Sequence, residues 1–184
     1  IQREIEPSDI IAGSKKGNIR QIAMKKLKEL GVKCKCIRCR EAGLQKLNYD
    51  PQELVLNRID YFASGGKEVF LSMESKDKNL LFGFLRLRNI IFSHRKELYN
   101  NHKNSAIIRE LHVYGQVVDV GQKNNSLSFQ HNGLGLHLME EAEKISKEEF
   151  QVDKLSVISA IGTRAYYKKL GYNQNGPYVT KHLK

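Results

Sequence analysis

Two short segments hold residues whose types and spacing suit chemistry. Gln130-His131-Asn132-Gly133-Leu134-Gly135 opens an amphipathic stretch, and about 30 residues later comes Ile161-Gly162-Thr163-Arg164-Ala165-Tyr166-Tyr167, closing at Gly171-Tyr172. A glycine turn at a helix start presents backbone N–H groups without intrahelical partners and the positive end of the helix dipole. Both suit a pyrophosphate. Glycines fit there because a Cβ would hold phosphate oxygens away from the backbone. The second segment places two adjacent tyrosines where a thioester could lie. Neighbours on a helix point about 100° apart. One of the pair therefore meets a ligand, with Tyr166 preferred, and the other packs as a half-buried aromatic. The glycine turn alone reads equally as a ligand-free junction. The ordered pair of segments points to acetyl-CoA.

Glu110 lies in Ile107-Ile108-Arg109-Glu110-Leu111-His112-Val113-Tyr114-Gly115. A strand carboxylate facing a thioester orients or activates a water or an amine. Its plainer role is an ion pair with an arginine such as Arg109, although neighbours along a strand face opposite sides. The residues alone leave both readings open. His112 shares the parity of Glu110. His131, beside the glycine turn, reads as a cap or a neighbour of a cofactor adenine rather than a catalyst.

A third constellation is Cys34, Cys36 and Cys39, all three cysteines of the chain within six residues. An odd count so tightly spaced argues against a secreted disulfide framework and for a reducing, cytoplasmic setting. Three thiolates suit zinc, with a fourth ligand from elsewhere, such as His94 or His102. Three reduced thiols are the plain alternative.

These groups need a frame. The 184 residues, 40% of them apolar, suffice for one domain and an appendage. No window is apolar enough to span a membrane, and the start does not resemble a signal peptide. The chain begins with Ile1, which reads as the middle of a longer protein. Net charge is +11, and residues 1–47 hold 12 Lys/Arg against 5 Asp/Glu. A basic patch at one end suits a polyanion, nucleic acid above all, with Lys15, Lys16, Arg20, Lys25, Lys26 and Lys28 as contacts. A solvated helix face is the alternative.

Residues 17–30 read as a helix, with Ile19, Ile22, Ala23, Leu27 and Leu30 at helical spacing, Asn18 as N-cap and Gly31 as stop. Gly, Asn, Asp and Pro over residues 42–52 place a boundary near 48. Residues 54–62 and 67–73 read as strands joined by a hairpin turn at Ala63-Ser64-Gly65-Gly66. Residues 80–91 and 107–118 are further strands, and 119–129 a polar loop. The 133–146 stretch is an amphipathic helix burying Leu134, Leu138, Ala142 and Ile145. A buried strand at 155–160, a helix over 163–170 ended by Gly171, and a last strand at 178–180 follow. The fold class is α/β or α+β.

The order strand, Gln-x-x-Gly-x-Gly, helix, strand, helix resembles the GNAT acetyltransferase superfamily. That likeness implies a mixed sheet splayed between the strands at 107–118 and 155–160, with acetyl-CoA in the V. It implies pyrophosphate contacts from the amides of Gly133, Leu134 and Gly135, and cofactor contacts from Val113, Gln130, His131, Asn132, Tyr166 and Tyr167. Catalytic roles would fall to Glu110 and one of Tyr166 and Tyr167.

Closer still, the segments at 108–115, 129–135, 138–143 and 162–172, with Cys36-Ile37-Arg38-Cys39-Arg40-Glu41-Ala42-Gly43 and Gly83-Phe84-Leu85-Arg86-Leu87-Arg88, resemble the Elongator catalytic-subunit family. That family joins a radical-SAM half to an acetyltransferase-like half and builds a carboxymethyl-type group on C5 of the tRNA wobble uridine from acetyl-CoA. The cysteines here are too tightly spaced for the radical-SAM motif, and 33 preceding residues cannot form a barrel. The resemblance therefore implies the C-terminal part: a basic helical linker with a zinc segment over 1–48 and a GNAT domain over 49–184. An iron–sulfur cluster and S-adenosylmethionine would belong to the missing half. tRNA, acetyl-CoA and other Elongator-type subunits are the implied partners. The resemblance implies a zinc knot of the kind carried by archaeal and bacterial relatives, with a structural role, since eukaryotic ones have lost some of its cysteines. Two further readings remain: a protein lysine acetyltransferase, which the basic N-terminal quarter disfavours, and a non-catalytic RNA- or partner-binding module.

Overall fold

The computed structural model describes residues 6–44, 53–90, 104–114 and 133–183. The chain divides into two compact units, residues 1–40 and 41–184. The expected boundary near 48 lies outside the described residues.

The first unit carries helix α1, Ile19–Glu29, and the short helix α2, Ile37–Arg40. Asn18 sits at the N-cap position without a side-chain capping bond. Gly31 ends α1 at φ +67°, with its amide bonded to the Lys28 carbonyl and that of Val32 to the Leu27 carbonyl. This pair of bonds is the Schellman closure that glycine permits. The apolar stripe is not buried: Ile19, Ile22 and Leu30 are exposed, and α1 has no buried residue.

The second unit is a seven-stranded sheet in the order β1-β2-β3-β4-β5-β7-β6. The strands are β1 (Val55–Ala63), β2 (Gly66–Glu74), β3 (Leu81–Asn89), β4 (Ser105–Val113), β5 (Lys154–Ile158), β6 (Asn173–Asn175) and β7 (Tyr178–His182). Ser64 and Gly65, both with positive φ, turn β1 into β2. That two-residue turn matches the natural twist of a hairpin. Among the described residues, these strands pair antiparallel except for β4 with β5. A parallel pair needs a crossover, here helix α3, Leu134–Glu148. α3 buries Leu134, Leu138, Met139, Ala142, Ile145 and Ser146, and packs on β2, β3, β4 and β5. Its buried face carries the four residues that helical periodicity picks out, and burial of each of the three larger ones, Leu134, Leu138 and Ile145, contributes about 1.5–3 kcal/mol.

β3 departs from the expected alternation: Leu81 through Leu85 are all buried, so both faces are covered at that end. β5 buries Leu155, Ser156 and Val157 between neighbours on both sides, and the Ser156 and Thr180 hydroxyls pair at 2.9 Å across to β7. The short strand β6 is not foreseen by sequence, because Asn173-Gln174-Asn175 has turn-like composition and joins the sheet only through β7.

Candidate active site

The β4–β5 pairing runs from Ser105 with Lys154 to Ile108 with Val157. β4 continues five residues further, to Val113, paired with β3 alone. β5 itself ends one residue past that last pair, at Ile158, so residues 109–113 of β4 have no described strand beside them on that side. Val113, the start of α3 and helix α4, Arg164–Lys169, border this region.

A β-bulge shapes the free stretch of β4. Arg86 faces Glu110 and Leu87 faces Ile108, so Arg109 is the extra residue. A bulge breaks strict alternation and bends the strand. Arg109 and Glu110 consequently both find partners on one face. Glu68, 1% exposed, accepts from Arg88 at 2.9 Å, from Arg109, and from the Tyr61 hydroxyl at 3.1 Å. Burial pushes its carboxyl up, but the two guanidiniums outweigh this and hold it below the ordinary range. Glu110 lies 3.3 Å from Arg86 Nε and 3.1 Å from His112 Nε2. His112 stacks on Phe84, which stacks on Phe70, while the Arg86 guanidinium sits over both phenylalanine rings. The expected parity of Glu110 and His112 is observed. The arginine partnered with Glu110 is Arg86, not Arg109. Sequence reading missed Arg86, because only cross-strand register identifies it.

Leu111 and Val113 point the other way and pack against the core. There α3 begins at Gly133, φ +74°, with open space around the position of its absent Cβ. Positive φ is what calls for glycine here. The amides of Leu134 and Gly135 follow in the first turn, where N–H groups have no intrahelical partners. Gly135 is different. A Cβ there would lie 2.9 Å from the Tyr166 hydroxyl and 3.5 Å from Val113 Cγ2. Gln130, His131 and Asn132 lie outside the described residues.

The tyrosines divide as helical geometry requires. Tyr167 is 6% exposed and joins the core, edge-on to Tyr172. Tyr166 is 39% exposed and reaches the first turn of α3. Burial raises both phenols; Tyr167, also beside Tyr166, is pushed up to about 12. Both are therefore protonated at neutral pH. Gly171 closes α4 at φ +87° by the same bond pair as Gly31, and so directs Tyr172 inward to donate to Glu143 at 2.9 Å.

In the first unit, the sulfurs of Cys34, Cys36 and Cys39 lie within 4.8 Å of one another. Tetrahedral zinc–thiolate geometry needs sulfurs about 3.8 Å apart, so the cluster fits that ion with a small contraction. Arg20 donates to Cys39 Sγ at 3.1 Å and points at Cys36 Sγ from 4.0 Å. The Cys39 amide, then the Cys34 thiol and Arg20, lower the Cys36 thiol to about 6. Burial and the neighbouring sulfurs raise Cys39. Among the described residues no fourth ligand joins them; His94 and His102 lie outside those residues. Lys15, Lys16, Lys25, Lys26 and Lys28 are exposed, with Lys26 paired to Glu29 at 3.4 Å.

No family model matches the chain. It is 44% identical over its whole length to Elongator complex protein 3 of Saccharomyces cerevisiae, covering 33% of that protein. It is equally identical to Elongator complex protein 3 of Homo sapiens, covering 34% of it. The chain thus spans about a third of these relatives. Among solved structures, the archaeal Elp3 of Methanocaldococcus infernus is 42% identical with a TM-score of 0.79, across all of this chain and 43% of that one.

Proposed function

From homology along its whole length to the C-terminal part of Elongator complex protein 3, we propose that this chain binds and cleaves acetyl-CoA for the modification of tRNA, at C5 of the wobble uridine. The observation that carries the reading is the end of β4 beyond its pairing with β5, where Val113, the hydroxyl of Tyr166 and the glycine turn that opens α3 come together. In this reading the first-turn amides of α3 hold the pyrophosphate. Glu110, on the stretch of β4 beyond its pairing with β5, orients or deprotonates a water or amine as that group bonds to the thioester carbonyl carbon. Tyr166 is the acid: as the thioester C–S bond breaks, sulfur leaves with the electron pair and takes the phenol proton. Tyr167 serves as a wall behind it. The radical chemistry at uridine belongs to the portion of the relatives that this chain does not span.

The basic first unit, with its exposed lysines, holds tRNA through phosphates, and zinc on Cys34, Cys36 and Cys39 fixes its shape. No helix among the described residues is long and apolar enough to cross a membrane. The setting proposed is cytoplasmic, with other Elongator-type subunits as partners. Residues 1–48 act as linker and 49–184 as the acyl-CoA domain.

Calorimetry with acetyl-CoA and then desulfo-CoA tests the first claim. Both should bind to the native chain, and Gly133→Val should abolish binding while the melting temperature stays high enough to show a folded domain. Absence of binding to the native chain, with tRNA present as well as without it, rejects the reading. A tRNA titration against salt tests the second claim, since phosphate contacts give a linear fall of log K with log salt. A flat response excludes them.

A further inference from the structure

The two glycines at the start of α3 are not equivalent. At Gly133 the backbone is left-handed and an added Cβ would meet nothing within 4 Å. Gly135 has no such need. It lies inside the helix, where alanine is the better residue. What forbids a side chain is the Tyr166 hydroxyl, 2.9 Å from the Cβ position, with Val113 Cγ2 at 3.5 Å. The obstacle is thus the end of a side chain that can swing away.

We propose that the missing side chain at Gly135 is a seat for the Tyr166 hydroxyl, which makes Gly135 a positioning residue for that phenol. Three elements meet there, β4 through Val113, α3 through Gly135 and α4 through Tyr166, where β4 runs on past its last pair with β5. A phenol on a surface helix would otherwise sample several rotamers. The seat fixes one of them over the first turn of α3. The inference rests on the acetyl-CoA reading for its consequence, but its geometry stands without a ligand.

The test is a double-mutant cycle on this chain, with thiol release from acetyl-CoA, CoA affinity by calorimetry and melting temperature as readouts. Gly135→Ala should leave the melting temperature within about 2 °C of native. It should lower turnover on the order of 10- to 100-fold, as small misplacements of catalytic groups do. With Tyr166→Phe already present, the same Gly135→Ala step should cost less than about twofold. A fluorine label at position 166, 3-fluorotyrosine, gives a readout free of turnover: its resonance should move in Gly135→Ala and stay in Glu140→Ala, on the exposed side of α3.

An equal cost of Gly135→Ala in both backgrounds, with CoA affinity falling in step, overturns the seat and assigns Gly135 to the pyrophosphate. A collapse of the melting temperature overturns it too, since the backbone rather than Tyr166 would then have given way. If the native chain binds no CoA, the acetyl-CoA reading fails on its own. The fluorine resonance then decides the seat, and an unmoved signal rejects it.

Discussion

Residues 1–40 and 41–184 solve the problem of stability by different means. In the larger unit one helix buries six residues against four strands. In the smaller, the longest helix buries none, and its apolar stripe stays exposed. A unit of that size has too little interior to offset chain entropy and usually needs a metal, a disulfide or a partner. The three cysteines gathered within 4.8 Å are its one cluster of metal-ligating groups among the described residues. The contrast extends to charge. Glu68, Glu110 and Glu143 are tied to Arg88, Arg86 and Lys181 within the sheet unit. The lysines of α1 stand in solvent, where phosphates can meet them. Charge held in a network builds a site, whereas charge spread on a surface steers a polyanion.

The largest effect should come from removing the zinc proposed for Cys34, Cys36 and Cys39. Structural zinc contributes on the order of 10 kcal/mol in small units. Chelation should abolish amide exchange protection over residues 19–29 and leave that of α3 intact. Elemental analysis finding no zinc in fresh, reduced protein would refute the assignment. Leu138→Ala probes the other side. It removes a fully buried side chain and should cost about 2–5 kcal/mol, seen in denaturant unfolding of the sheet unit alone. Loss of protection in α1 by the same mutation would erase the distinction between the units.

Function separates the units more finely. Glu110→Gln should lower acetyl-CoA turnover by roughly 100-fold or more, with melting and tRNA affinity near native. Replacing Lys25 and Lys28 by Gln should do the reverse, reducing the salt slope of tRNA binding by roughly 0.7–0.9 for each phosphate that is no longer neutralised. Native turnover in the first variant, or an unchanged slope in the second, contradicts the division of labour.

The smallest effect concerns alkaline pH. Tyr167 is raised from 10 to about 12, by burial first and then by Tyr166. Below pH 10 the phenol is neutral in both folded and unfolded chains, so it makes no difference there. Between pH 10 and about 12 the unfolded chain ionises while the folded one keeps its proton, so stability falls as pH rises. Tyr167→Phe should flatten that fall, as followed by thermal melts; an unchanged slope would place the phenol in solvent.

Local chemistry made much of this legible in the residues themselves. Gly31 and Gly171 end their helices because only a left-handed residue closes the last carbonyls. Ser64-Gly65 turns a hairpin, and the stripe Leu134, Leu138, Ala142, Ile145 selects the buried face of α3. The stop glycines, the hairpin turn, the buried stripe and the order of elements depend on neighbours within a few residues, so one chain suffices to read them. Tertiary structure alone decided the rest. The bulge at Arg109 aligned Glu110 with Arg86, and strand register, which the pattern of one strand does not contain, set that pair. Packing of helices on the sheet likewise decided that Tyr167 is buried while Tyr166 stays exposed beside Gly135, a glycine 31 positions away. Contacts between residues remote in sequence follow from how helices and strands pack, and packing is a property of the folded whole.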